Sequence, residues 1–136
     1  MSSRTIFLSR LIGWYGVLAA LAMASHKQAT VDMVTALLHN PPALFLSALF
    51  GLLGGLALVI GHNFWSGGAV PIVVTLMGWA TVLKGLLLMF LTPNASVALF
   101  LGALQYVRFF YFYAAIPFGL GAFLILAGPR AKTLQT

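Results

Sequence analysis

The chain of 136 residues is 62% hydrophobic and only 6% charged, with a mean hydropathy of +1.06 and a net charge of +6 at pH 7. Its single acidic residue is Asp32 and it contains no cysteine, which excludes disulfides, thiolate metal sites and cysteine nucleophiles. Long runs that are apolar throughout predict an all-α membrane protein, because β-barrel strands would alternate polar and apolar residues. One domain, residues 1–136, is expected, with no part outside the membrane large enough to fold alone.

Four apolar stretches are each long enough to cross a bilayer, whose hydrocarbon core of about 30 Å needs roughly 20 helical residues. The predicted spans are residues 8–25, 42–61, 71–91 and 109–127. An amphipathic stretch at 31–39 predicts a short helix in the membrane interface, and Asn40-Pro41-Pro42 ends it. A second interfacial helix is expected at about 94–107, because the apolar run from 95 to 128 is too long for one crossing and too short for two.

The first span has an alternative interpretation as a secretory signal. Arg4 and Arg10 precede an apolar run that ends in Ala22-Met23-Ala24, the shape of a signal-peptidase site. The sequence does not decide whether this span is cleaved, and a mature protein that begins at Ser25 would show that it is.

Basic residues predict the orientation of the chain and its contacts with membrane lipids. They lie mainly at the ends of apolar stretches, so they indicate topology and headgroup anchoring rather than nucleic-acid binding. Four crossings place both termini on one side, and the basic residues of that side are Arg4, Arg10, Arg130 and Lys132, against Lys27 and Arg108 opposite. Both termini are therefore expected in the cytoplasm. Arg108 stands inside an aromatic cluster, residues 106–113, which is typical of an interface belt.

An internal repeat is visible in the sequence. The segment Leu11–Leu21 matches Leu76–Leu86 with six identities, at Leu, Gly, Trp, Val, Leu and Leu, and residues 54–61 match 121–128 by their glycines. The match predicts two similar hairpins, each with a short interfacial helix, related by an axis along the membrane normal. Coincidence among Leu-rich and Gly-rich helices is the alternative.

Lys84 is the residue that least fits an apolar helix. It lies about 20 Å into the third predicted span and about 10 Å from the far face, at 1.5 Å per residue. A lysine at this depth either extends its amine to the headgroups or bonds Thr81 and loose carbonyls. Alternatively it lines a cavity and attracts an anionic solute or lipid headgroup.

The turn after the second span, residues 61–65, is a second candidate site. His62 and Asn63 are expected to satisfy the last carbonyls of that span, while Trp65 anchors at headgroup level. A proton-handling or ligand-binding role for His62 is the alternative, because imidazole titrates near neutrality.

Small residues recur every four positions along the second span and predict a helix-packing stripe, either within the bundle or between subunits. They are Ala43, Ser47, Gly51 and Gly55.

The chain has few residues that could act as acids, bases or metal ligands, which argues against catalysis, metal binding and cofactors. Three histidines and Asp32 are the whole set of common metal ligands, and His62 is expected on the opposite side from the others. A paired acid and base would need a second carboxylate, and no Gly-Lys-Ser or Gly-Lys-Thr phosphate loop is present.

Three motifs carry a resemblance to known proteins, at residues 61–65 (Gly-His-Asn-Phe-Trp), 75–79 (Thr-Leu-Met-Gly-Trp, ending at Trp79) and 83–85 (Leu-Lys-Gly). They resemble a group of small bacterial inner-membrane proteins with a His-Asn-x-Trp turn, then Thr-x-x-Gly-Trp and Lys-Gly in the next helix. The likeness covers residues 50–93 and implies a four-helix protein of the bacterial inner membrane, with functional interest in His62 and Lys84 but no assigned activity. The outer thirds resemble DoxX-like four-helix proteins in layout only.

Together these observations predict a non-catalytic accessory or assembly partner in the inner membrane that acts through the small stripe. The alternative is a small oligomeric channel or carrier for an anionic or small polar solute, with Lys84 near its pathway. Membrane lipids are expected partners, together with further copies of the chain or a larger membrane complex.

Overall fold

A computed structural model describes residues 2–133 of the chain, and side chains as far as residue 128. These residues form an all-α structure in which four helices are long and apolar enough to cross a membrane, as the composition predicts. The four are α1 (Ser3–Ser25), α3 (Pro41–Gly61), α4 (Ala69–Phe90) and α6 (Phe110–Thr133). Arg130 and Lys132, used above for topology, have side chains outside the described part.

Two shorter helices, α2 (Lys27–Leu38) and α5 (Pro93–Val97), follow α1 and α4. α5 continues as a π-helical segment, Ala98–Ala103, in which the Leu104 N–H donates to the Leu99 carbonyl at 2.8 Å. This second helical stretch ends before the expected residue 107. Gln105 adopts a left-handed φ of 48°, and the Tyr106 N–H turns back to the Phe100 carbonyl, which closes the helix.

Local sequence signals mark where the helices begin. The Ser2 hydroxyl accepts from the Thr5 N–H at the start of α1, and the Asn40 side chain accepts from the Ala43 N–H at the start of α3. Before α4, Gly67 and Gly68 have φ of 96° and 113°, a left-handed geometry that glycine adopts without strain. Both side-chain caps join residues three positions apart, and the two glycines are adjacent, so the sequence specifies these starts locally.

The long helices pack as two close pairs, α1 with α6 and α3 with α4, and α4 also contacts α1 and α6. Glycines allow the close approach within each pair. A Cβ on Gly121 would lie 2.6 Å from the Gly13 carbonyl oxygen, and a Cβ on Gly55 would lie 2.7 Å from the Val82 nitrogen. Backbones this close are typical of small-residue helix packing in membranes.

Matching positions of the internal repeat make matching contacts. Val17 and Val82 occupy the same place in the two copies, and Val17 contacts Gly121 while Val82 contacts Gly55, one position beyond Gly54, the match of Gly121. The glycines of the repeat behave alike, with Gly13 beside Ile125 and Gly78 beside Leu58. The first long helix of each half therefore packs on the second long helix of the other half, which supports a duplication rather than a chance match.

The bundle has two ends that differ in character. We call one the His62 end, because Thr5, His62 and Thr75 meet there and Gly128 lies beside Ser9. We call the other the Lys84 end, where α1 and α4 finish and α3 and α6 begin. The sides between the two ends carry large exposed apolar residues, among them Tyr15, Phe50, Leu53 and Leu83. Such an apolar surface fits contact with lipid chains.

Candidate functional site

A cleft of about 460 Å³ opens at the Lys84 end, lined by residues from α1 to α4, the π-helical segment and α6. Most of its wall is apolar, and the wall includes Met23, Leu37, Leu38, Leu44, Leu88 and Phe100. The volume falls within the range of about 300–1,000 Å³ found for small-molecule sites. The cleft thus brings distant parts of the chain around one cavity.

Lys84 supplies the charge in this cleft. It lies six residues before Phe90, the last residue of α4, which places its Cα about 9 Å from the end of the helix. Its side chain is exposed to the cleft and forms no hydrogen bond or ion pair with the residues that the structure describes. Thr81 does not hold the amine, because its hydroxyl donates to the Met77 carbonyl at 2.7 Å.

The single acidic side chain is engaged elsewhere. Asp32 is exposed on α2 and accepts a 2.9 Å hydrogen bond from Gln28 Nε2, one helical turn away. It does not line the cleft. Lys84 therefore lines the cleft with no acidic side chain among the lining residues.

Hydroxyl groups complete the polar part of the cleft. Ser47, Tyr106 and Tyr113 line it, and the two tyrosine rings stack with their centres 5.8 Å apart. The Tyr113 hydroxyl donates to the Leu104 carbonyl at 2.8 Å, which fixes that ring. Burial raises the pKa of Tyr106, so this phenol remains neutral at physiological pH.

A second polar cluster lies at the His62 end. The His62 side chain is 1% exposed, and its Nε2 lies 2.9 Å from the Thr5 hydroxyl on α1. Its Nδ1 lies 3.5 Å from the hydroxyl of Thr75 on α4, which also accepts from the Phe64 N–H at 3.1 Å. The ring therefore joins the end of α3 to two other long helices.

This arrangement replaces the capping role expected for the His62 side chain. The helix is closed by the backbone, because the His62 N–H donates to the Leu58 carbonyl at 2.7 Å. Asn63 and Trp65, the neighbours expected to cap and anchor, are exposed at the surface. His62 instead has a structural role between helices.

The stability of the protein is expected to fall as the pH drops below neutrality. Burial lowers the pKa of His62 below its ordinary value of 6.5, and a backbone hydrogen bond opposes this only in part. The unfolded chain therefore binds more protons. The free energy of unfolding should decrease from about pH 7 through 6.5 down to the folded-state pKa, and then level off. Unfolding titrations in detergent between pH 8 and 4.5 measure this slope.

Two single-residue variants test whether His62 causes this pH dependence of the free energy of unfolding. His62→Gln should flatten it, while His39→Gln, at an exposed position that bonds only the Thr35 carbonyl of its own helix, should leave it unchanged. An equal slope in the His62→Gln protein would contradict the assignment.

The other predicted site residues lie outside the cleft. Trp79 is 46% exposed on α4 and Trp65 is 58% exposed. Arg108 is exposed at the Lys84 end, with its guanidinium 5.5 Å from the Phe109 ring centre and 3.4 Å from Gln105 Oε1. Trp65 and Arg108 lie outside the long helices, where they suit anchoring at a membrane interface, whereas Trp79 lies midway along α4.

The four residues of the small stripe on α3 lie in three different environments. Gly55 is buried against α4, whereas Ser47 lines the cleft. Ala43 is half-buried, and nothing lies within 4 Å of a Cβ built on Gly51. The stripe is therefore not a single free face: one member is used inside the bundle and one in the cleft.

Sequence reasoning did not find the partners that complete the two clusters. Thr75 stands in one of the motifs quoted above, but Thr5 carries no comparable signal. Tyr106 and Tyr113 were assigned to an interface belt, and Ser47 to a packing stripe. All three join Lys84 only because the fold brings them there.

Within the described part of the chain, no three histidine or acidic side chains come close enough to share a metal ion. No protein-family model, curated protein or solved structure matches the chain. The cleft and the buried cluster are therefore interpreted from their own chemistry.

Proposed function

We propose that the protein is a non-catalytic, multi-pass membrane protein that binds an anionic ligand in the Lys84 cleft and carries it. The observation behind the proposal is Lys84, which lines a cleft of about 460 Å³ that no acidic side chain lines. An ammonium group close to apolar surroundings attracts an anion more strongly than it does in bulk water, because the local dielectric is lower. The hydroxyls of Ser47 and Tyr106 add polar groups near the same cleft.

A carrier explains the two ends better than an open channel does. At the His62 end, Thr5, His62 and Thr75 are buried against one another, so that end is closed. The cleft at the Lys84 end is open. A carrier of this kind would alternate by loosening the His62 contacts, which join α1, α3 and α4.

The proposed location is the bacterial inner membrane, with both termini in the cytoplasm. Arg4 and Arg10 belong to the His62 end, and Arg130 and Lys132 follow at the same end by their place in the last turn of α6, whereas only Lys27 and Arg108 belong to the Lys84 end. By the positive-inside rule the cleft then opens toward the external side. Lys27 supports an interfacial position, because its amine lies 5.1 Å from the ring centre of Tyr111.

A role as an assembly partner is the second candidate function. It is favoured by the outer face of α3, where Phe50 and Leu53 are exposed and the surroundings of Gly51 and Gly54 are empty. Such a face lets another helix approach closely. The mass of the protein particle in a mild detergent tests whether this face binds a second copy. A monomeric mass would exclude self-assembly, and the partner would then have to be a different protein.

Anion binding is tested with the protein in phosphatidylcholine nanodiscs. Acetate, inorganic phosphate, laurate and dodecyl phosphate are added separately, and the thermal unfolding midpoint is measured. At least one should raise the midpoint, because a ligand at 100 times its Kd stabilises the folded state by about 2.7 kcal/mol. The Lys84→Met variant should lose the shift and Lys84→Arg should keep it.

Lys27→Met is the matched control, because it removes a lysine at the same end that does not line the cleft. It should keep the shift. If no anion changes the wild-type midpoint, or if Lys84→Met responds like the wild type, the proposed function is wrong.

A further inference from the structure

We infer that the ligand of the Lys84 cleft is a single-chain anionic amphiphile, with its carboxylate or phosphate head at the Lys84 amine and its alkyl chain along the apolar wall. This inference rests on the proposed function and specifies the class of ligand. It depends on the lining, the polar donors, the openings and the volume of the cleft.

The lining favours a ligand with both an anionic and an apolar part. One cation stands among a wall built mainly from leucine, methionine, valine and phenylalanine. A small hydrated anion would exchange its water for one amine and a few hydroxyls, and would leave the apolar wall uncovered. An alkyl chain covers that wall while the head contacts the amine.

Hydrogen-bond donors line the same cleft as Lys84. Ser47, nearly two turns into α3, and Tyr106, before α6, line the cleft with Lys84, and their hydroxyls make no hydrogen bond within the described residues. Tyr113 is different, since its proton is already given to the Leu104 carbonyl. The hydroxyls of Ser47 and Tyr106, and that of Thr30 in the same lining, are thus free to donate to the oxygen atoms of an anionic head.

The cleft is accessible from the side of the bundle. Helices α3 and α6 both line it but belong to different close pairs, so they do not seal it by packing on each other. Lys84 and Ser47 are exposed there. A chain already dissolved in the bilayer can therefore reach the apolar wall without passing through water.

The volume favours one chain rather than two. About 460 Å³ lies toward the lower part of the range for sites that enclose small ligands. A two-chain phospholipid would have to leave most of its chains outside. A fatty acid or an alkyl phosphate matches the cleft, and these two sources share the same head chemistry.

Photolabelling in phosphatidylcholine nanodiscs tests the inference. The probes are laurate and dodecyl phosphate, each with a diazirine in the middle of the chain, and labelled residues are located by mass spectrometry. Labels are expected on wall residues such as Met23, Leu88 and Phe100. Excess unlabelled laurate should compete, whereas acetate and dodecanol, which lack the chain and the charge respectively, should not.

The variants define the role of the amine. Lys84→Met should reduce labelling of the wall at least tenfold, while Lys84→Arg and Lys27→Met should keep it within twofold of the wild type. Ser47→Phe places a ring in the cleft from an exposed position and should reduce labelling at least fivefold, which keeps the test informative if Lys84→Met does not fold. The relative labelling by the two probes distinguishes a carboxylate head from a phosphate head.

Four results would overturn the inference. Unchanged labelling in folded Lys84→Met, or equal competition by dodecanol, would show that the charge does not select the ligand. Lys84-dependent stabilisation by acetate or inorganic phosphate, without labelling by either probe, would leave the proposed function standing but exclude an amphiphile. Absence of both responses would exclude both proposals.

Discussion

Gly121→Leu is expected to destabilise the protein by about 3 kcal/mol, at the upper end of overpacking costs. A Cβ at this position would lie 2.6 Å from the Gly13 carbonyl oxygen and 3.0 Å from the Val17 nitrogen, and both of these neighbours are backbone atoms. The side chain can be accommodated only if α1 and α6 separate. The measurement is an unfolding titration with sodium dodecyl sulfate in mixed micelles, followed by circular dichroism.

Gly119→Leu is the matched control on the same helix. Nothing lies within 4 Å of a Cβ at Gly119, so this change should alter stability by no more than about 0.5 kcal/mol. The other helix pair offers the same comparison, with Gly55→Leu as the disruptive change and Gly51→Leu as the tolerated one. Similar stabilities within either pair of variants would contradict the described helix packing.

Thr75→Val is expected to destabilise the protein by about 1–3 kcal/mol, although valine has nearly the shape of threonine. The Thr75 hydroxyl accepts from the Phe64 N–H at 3.1 Å and lies 3.0 Å from the Phe64 carbonyl and 3.3 Å from the His62 carbonyl. Valine removes these bonds and leaves the polar atoms of the turn without their partner. The same detergent titration measures the loss.

Thr81→Val separates this effect from the general cost of losing a threonine in α4. The Thr81 hydroxyl bonds only the Met77 carbonyl of its own helix, so its removal should cost less than about 0.5 kcal/mol. Equal losses in the two variants would show that the contacts around His62 contribute little to stability.

The helices were largely predictable because the signals that specify them are local. The length of each apolar run, the prolines at the start of α3 and the glycine turn before α4 act within a few residues of one another. The second interfacial helix was predicted to end too late. Its end depends on the left-handed Gln105, a backbone conformation that the residue type does not announce.

The roles of the site residues were harder to predict. Lys84 was recognised as exceptional, because a lysine inside an apolar run is rare and costly. His62 was recognised but given a capping role, since the sequence does not show that Thr5 comes within 2.9 Å of its ring. Tyr106 and Tyr113 resembled surface anchors, and only the fold places them in the lining of the same cleft as Lys84.

The amino-acid sequence by itself determined an all-helical chain with four membrane-length helices. A long apolar segment in lipid must satisfy its own backbone hydrogen bonds, and very few structures can do so. It also carried the repeat, in which Gly13 contacts Ile125 and Gly78 contacts Leu58 at matching positions of the two halves. Only the tertiary structure decided that α1 pairs with α6 and α3 with α4, and therefore where the cleft and the buried histidine cluster form. Those outcomes depend on side chains far apart in the chain, such as Thr5 and His62, whose meeting reflects the packing of whole helices.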